Sequence, residues 1–142
     1  MLSIGRLSRE TGTKVQTIRY YEQIGLMPEA ERSAGGQRRY TTADLERLAF
    51  IRHARELGFA LEVIRELLDL ADNPGRSCDE ADAIARRQLV LVEQRIRRLE
   101  ALRTELGGMI EECSGGRVSE CRVIEVLRDH SECLTDHREI EA

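Results

Sequence analysis

Three cysteines, Cys78, Cys113 and Cys121, frame the longest helical stretch of the chain. Thiolates grouped around a soft cation suit Zn(II), Cu(I) and their heavier relatives. Cys78 precedes the stretch, Cys113 closes it, and Cys121 follows across a loop containing Gly115 and Gly116. Read as one helix, residues 79–112 would be about 50 Å long. Cys78 then cannot meet Cys113 within one chain. It can meet Cys113 and Cys121 of a second chain running antiparallel, so the spacing predicts a metal and a homodimer together. Buried cysteines also serve as small apolar residues. That suits Cys113 in part, because it ends an apolar seam. It does not suit Cys78, set between Ser77 and Asp79, or Cys121, which follows Ser119 and Glu120.

A second constellation lies near the end of the chain. His130, Cys133 and His137 are spaced by three and four, which puts them on one face if the segment is helical. All three are zinc-grade ligands and form a candidate auxiliary metal site. Read instead as a polar terminal tail, the same residues are bystanders. The remaining histidine, His53, sits beside Arg52 and near Arg55, and is expected to be solvated.

A third set suits nucleic acid. Lys14, Gln16, Thr17, Arg19 and Tyr20 fall on or beside the outer face of a short helix whose inward positions are Val15 and Ile18. Arg32, Arg38 and Arg39 flank the pair Gly35 and Gly36, which can form a tight hairpin turn. The flanks are too polar for a core hairpin and read as a small β-wing with cations at its tip and edge. Charge agrees: residues 1–40 carry seven basic and four acidic residues, a net of +3, against ten basic and fifteen acidic in residues 77–142, a net of −5. A basic head on an acidic body suits DNA binding.

The elements that must position these residues follow from periodicity and punctuation. Ser3 is expected to cap a first helix containing Ile4 and Leu7, and Gly12 to end it. Thr13 is expected to cap the second, which stops near Gly25, ahead of Pro28. After the wing, Thr41 or Thr42 caps a helix through Leu45, Leu48, Ile51 and Ala54, ended by Gly58. Leu61, Ile64, Leu67 and Leu68 mark another, and residues 72–75 form a boundary. On the long helix, Leu89, Val92, Ile96, Leu99, Leu102, Leu106, Met109 and Ile110 recur at three and four. Arginines and glutamates fill the rest, so this is a seam that needs a partner helix. A short apolar segment, Val123, Ile124, Val126 and Leu127, follows Cys121.

Composition limits the alternatives. The chain has 142 residues, 41% hydrophobic and 34% charged, with a net charge of −4. Aromatics are 4% and tryptophan is absent, which argues against an aromatic-lined ligand cavity, so no organic cofactor is expected. No apolar run approaches the roughly 20 residues that span a membrane, and the charged start is no secretory signal. A cytoplasmic protein with reduced cysteines is expected. No nucleophile–base pair, phosphate loop or paired carboxylates in an apolar setting suggests an enzyme.

The run Thr17, Ile18, Arg19, Tyr20, Tyr21, Glu22, Gln23, Ile24, Gly25, Leu26 closely resembles the head of the MerR family of bacterial transcription regulators. So do Arg32 with Ser33, the trio Arg38, Arg39 and Tyr40, and the later Ile51, Arg52 and Leu57 to Leu61. Gln37 departs from the pattern, since many members place an aromatic residue there; wing packing or one DNA contact is expected to change, not the fold. The resemblance implies a mainly α protein with a winged helix-turn-helix head and a long antiparallel coiled-coil dimerisation helix. It divides the chain into a DNA-binding domain of residues 1–74, a linker and dimerisation helix of residues 75–112, and a metal-binding loop, short helix and tail of residues 113–142. Partners would be double-stranded promoter DNA, RNA polymerase and a second copy, with no membrane.

By the same resemblance, Cys113 and Cys121 match the loop that binds the effector metal. Copper(I) sensors of the family carry serine at the start of the dimer helix, while sensors of zinc, cadmium, lead or mercury carry a cysteine donated by the other subunit. Cys78 places the chain with the latter. The expected function is activation of a metal resistance or efflux promoter by DNA distortion when such a divalent ion binds. A thiol-based redox regulator on the same scaffold, with Cys113 and Cys121 oxidised, is the alternative, along with a Cu(I) sensor.

Overall fold

The computed structural model of the protein describes residues 1–112 and 115–129. Cys113, His130, Cys133 and His137 lie outside the described residues. The elements run α1 (Ile4–Thr11), α2 (Val15–Gln23), β1 (Glu31–Arg32), β2 (Arg38–Arg39), α3 (Thr42–Glu56), α4 (Leu61–Ala71), α5 (Asp79–Glu112), a 3-10 turn (Val118–Glu120) and α6 (Arg122–Arg128). The chain divides into two compact units, Met1–Ile84 and Ala85–Ala142.

In the first unit, α1 starts where the Ser3 hydroxyl accepts the Arg6 amide at 3.2 Å, as expected. It ends on Gly12, whose φ of 67° is left-handed. Helix α2 corrects one expectation. Its cap is Lys14, with no side-chain capping bond, and Thr13 is buried. The Thr13 amide instead donates to the Thr11 hydroxyl at 3.3 Å, so a side chain from the end of α1 shapes the turn. Helix α2 closes on Gly25, with Leu26 N–H donating to Tyr21 O at 2.8 Å and Gly25 N–H to Glu22 O at 3.2 Å. Those two bonds are a Schellman close, and Gly58 ends α3 in the same way.

The wing is a two-stranded antiparallel ribbon pairing Glu31 with Arg39 and Arg32 with Arg38. Only Gly36 of the expected glycine pair takes a positive φ. Arg38 and Arg39 lie on the strand and are half-buried, not at the tip. A bridge between Leu2 and Tyr40 extends the ribbon, with backbone bonds of 2.7 and 2.8 Å. Helix α3 opens on Thr41, not Thr42, in a capping box: the Thr41 hydroxyl accepts Asp44 N–H and the Asp44 carboxylate accepts Thr41 N–H.

One apolar cluster holds these pieces: Leu7 from α1, Ile18 and Tyr21 from α2, Leu26 and Met27 after it, Tyr40, Leu48, Ile51 and Ala54 from α3, and Ile64 and Leu68 from α4. Burying each large member is worth about 1.5–3 kcal/mol. Three arginines cross between elements. Arg65 of α4 donates to Ile24 O at 2.8 Å and Gly25 O at 3.2 Å, Arg47 of α3 donates to Leu26 O at 2.9 Å, and Arg52 of α3 donates to Gly12 O. The exposed carbonyls at the ends of α1 and α2 are satisfied from outside those helices.

Helix α5 is continuous over 34 residues, as its periodicity predicts. Asp79, Glu80 and Asp82 in its first turn oppose the positive end of the helix dipole. Leu89, Ile96, Leu99, Leu106 and Ile110 of the seam are exposed. Met109 of the seam and Val126 of α6 are buried. Gly107 and Gly108 sit inside the helix near its end. Among the described residues no helix is long and apolar enough to cross a membrane.

Thr41→Ala removes one half of the capping box and should lower stability by about 1 kcal/mol in urea unfolding. An unshifted midpoint would mean that the box contributes nothing.

Candidate nucleic-acid interface and metal centre

Helix α2 presents the polar face expected of it. Lys14, Gln16, Arg19 and Tyr20 are exposed, Thr17 is half-buried, and Ile18 and Tyr21 turn into the core. The side chains of Arg19 and Lys14 form no hydrogen bond or ion pair among the described residues. Arg19, Arg32 and Arg38 line a cleft between α2 and the wing together with Glu22 and Glu29. Arg39 is tied lightly to Gln37 at 3.4 Å, and Arg32 donates to Gly36 O at 2.9 Å, bracing the turn. A second cleft, beside the other end of α2, is lined by Lys14, Thr17, Arg52 and Arg55. In the sequence these last two cations stand out only as neighbours of His53, not as part of an interface. Their spacing of three along α3 was the available signal.

Beneath the wing cleft lies a carboxylate. The Tyr40 hydroxyl donates to Glu22 Oε1 at 2.6 Å, and Arg38 Nε lies 3.8 Å from Glu22 Oε2. Tyr40 is fully buried. Burial pushes its phenol well above the ordinary value, and the bond to Glu22 and its negative charge push the same way. Arg38 and Arg19 oppose the shift.

The cysteines divide. Cys78 is exposed at the start of α5, where its carbonyl accepts Asp82 N–H at 2.9 Å. Cys121 is half-buried and is the N-terminal cap of α6. Its neighbour Arg122 pairs with Glu112 at 2.6 Å, which draws the start of α6 to the end of α5. Among the described residues, no three His, Cys, Asp or Glu side chains converge as a metal site. The donor chemistry of the thiols fits a soft ion, but Cys78 and Cys121 alone do not complete a site.

A short helix held by a second helix, with exposed cations and a basic wing beside it, defines a winged helix-turn-helix DNA-binding head. Residues 2–71 match the description "MerR HTH family regulatory protein", and residues 45–109 match "MerR, DNA binding". The chain is 42% identical over 130 residues to the HTH-type transcriptional regulator ZntR of Escherichia coli, covering 89% of this chain and 92% of that one. It is 38% identical over 133 residues to the mercuric resistance operon regulatory protein of Serratia marcescens, covering 92% and 90%. Among solved structures, the transcription regulator PbrR691 of Ralstonia metallidurans in complex with lead(II) matches with a TM-score of 0.75 and 37% identity, covering 89% of this chain and 99% of that one. The chain belongs to the MerR family. It is a DNA-binding transcription regulator and not an enzyme.

Tyr40 gives the head a pH signature. An unfolded phenol loses its proton near pH 10, while the buried one keeps it to higher pH. Stability is therefore full below about pH 10 and falls as pH rises beyond it, by up to about 1.4 kcal/mol per pH unit. Tyr40→Phe should remove that component in urea unfolding across an alkaline pH series. An unchanged alkaline slope in the variant would disprove the assignment.

Proposed function

We propose that this protein is a dimeric, metal-responsive regulator that activates a metal resistance or efflux promoter. The observation that carries the reading is the unbroken α5, with the exposed Cys78 directly before it and Cys121 tethered near its other end through Arg122 and Glu112. At 1.5 Å per residue its ends are about 50 Å apart, so these cysteines serve one site only across two antiparallel chains. Cys113 and Cys121 of one chain and Cys78 of the partner subunit supply three thiolates. A soft divalent ion, whether zinc, cadmium, lead or mercury, would supply there a cross-link between subunits. The relatives reported above whose descriptions name a metal name mercury and lead, which favours this reading over a Cu(I) or redox sensor. No organic cofactor is needed.

The chain's own residues do the rest. Residues 1–74 form the DNA-binding domain, residues 75–112 the linker and dimerisation helix, and residues 113–142 the metal-binding part, with His130, Cys133 and His137 as auxiliary ligands. The exposed stripe of Leu89, Ile96, Leu99 and Leu106 forms the dimer seam. Lys14, Gln16, Thr17, Arg19 and Tyr20 enter the groove of promoter DNA, while Arg32, Arg38 and Arg39 hold phosphates from the wing. The thiolates at one end of α5 bias one dimer conformation over another, and the two heads transmit that bias to the promoter as distortion that RNA polymerase reads in the cytoplasm.

Mixing Cys78→Ser chains with Cys113→Ser/Cys121→Ser chains tests the shared site. In the mixed dimer one site keeps all three thiolates and the other has none, so it should bind about one ion tightly while both parents bind weakly. Equal weakness in the mixture, after subunit exchange is confirmed, would refute the model. Leu99→Asp places two charges in the seam and should yield monomers in sedimentation; an intact dimer would move the interface elsewhere.

A further inference from the structure

We propose that Glu22 is the positioning residue of the DNA-binding head: by sharing its carboxylate between Tyr40 and Arg38, it sets the place of the wing, and so of Arg38, relative to Arg19 on α2. The inference rests on the reading above that Arg19 and Arg38 contact DNA. A carboxylate beneath arginines that face phosphate is otherwise a liability, since it repels the ligand they attract. Its geometry supplies the reason for its presence. The ribbon has only two residues in each strand, and a hairpin that small does not hold its own orientation in water. Arg38 and Tyr40 are two apart in the extended chain, so their side chains leave the same face. Both meet Glu22, at 3.8 and 2.6 Å, on its two different oxygens. The Glu22 side chain is only 8% exposed and lies three residues beyond Arg19 on α2. Tyr40 is fully buried and bonded through its backbone to Leu2, which makes it a fixed anchor. The wing is therefore pinned to the recognition helix at two points through one side chain, and the cleft lined by Arg19, Arg32 and Arg38 owes its spacing to that pin.

Two variants separate the arms of the clamp. Glu22→Gln keeps the shape and an acceptor for Tyr40 but removes the charge facing Arg38. Tyr40→Phe keeps the charge and the buried ring but removes the tether. Binding is measured with the full chain on a DNA fragment selected from random sequence by the unaltered protein, across a salt series. Each variant should weaken binding about tenfold, the scale of one hydrogen bond or one shielded ion pair, with helicity and sedimentation unchanged. Glu22→Gln should also lower the salt slope by about one, as Arg38→Ala should, although all the arginines remain. Added to Arg38→Ala, it should cost nothing further. Should Glu22→Gln lower the melting temperature too far for use, Tyr40→Phe with Arg38→Ala forms the same cycle. Binding by Glu22→Gln as tight as the parent or tighter, or losses that multiply with Arg38→Ala, overturns the clamp and leaves the docking reading standing. No loss in Arg38→Ala itself overturns both.

Discussion

What the DNA-binding head presents depends on fixing the C-terminal end of one nine-residue helix, α2. A helix that short does not persist alone, and its last carbonyls face outward from the ladder. The fold answers with several independent restraints within a few residues. Gly25 closes the backbone on itself, Arg65 and Arg47 donate to the carbonyls of Ile24, Gly25 and Leu26, and Leu26 and Met27 turn into the core. The wing then attaches to the same end through Glu22. An element that must offer its polar face to a partner cannot use that face for its own support, so the support comes from its end and its back.

That arrangement explains the cation usage. Of 22 basic side chains, all but Lys14 are arginine. A guanidinium is a planar fork with five donors, and one side chain can reach two adjacent carbonyls, as Arg65 does. Lysine offers no such fixed geometry. The cations divide between those consumed in capping, such as Arg47 and Arg65, and those left to line clefts, such as Arg19. Net charge does not make that distinction, which is why the charge asymmetry of the chain was only a weak pointer to DNA.

Local chemistry was legible in the sequence where one or two neighbouring residues decide the outcome. The Ser3 cap, the glycine stops at Gly12, Gly25 and Gly58, and the full span of α5 all follow from short-range rules. What the local rules missed was of two kinds. Thr13 yields the cap of α2 to Lys14, with its own amide donating to the Thr11 hydroxyl two residues back. The Leu2–Tyr40 bridge and the crossing arginines join residues between 21 and 41 apart, and no local pattern carries such pairings. For the site, helical periodicity placed Arg19 and Tyr20 outward, but Arg52 and Arg55 stood out only as neighbours of His53, on a helix read for its apolar side. The cysteines were legible as chemistry, while their convergence is a question of assembly.

The pair Gly107 and Gly108 changes the character of α5. A methyl group on Gly107 would meet nothing within 4 Å, so glycine is not there to make room. Each glycine costs a helix interior about 1 kcal/mol relative to alanine. Glu111 and Glu112 follow at the negative end of the dipole, with no basic residue in the last turn of the helix. The last turn of α5 is therefore its least favourable by intrinsic propensity, and Arg122 of α6 braces it by pairing with Glu112 at 2.6 Å. The end of α5 is thus held less by its own backbone than by α6, through that one ion pair.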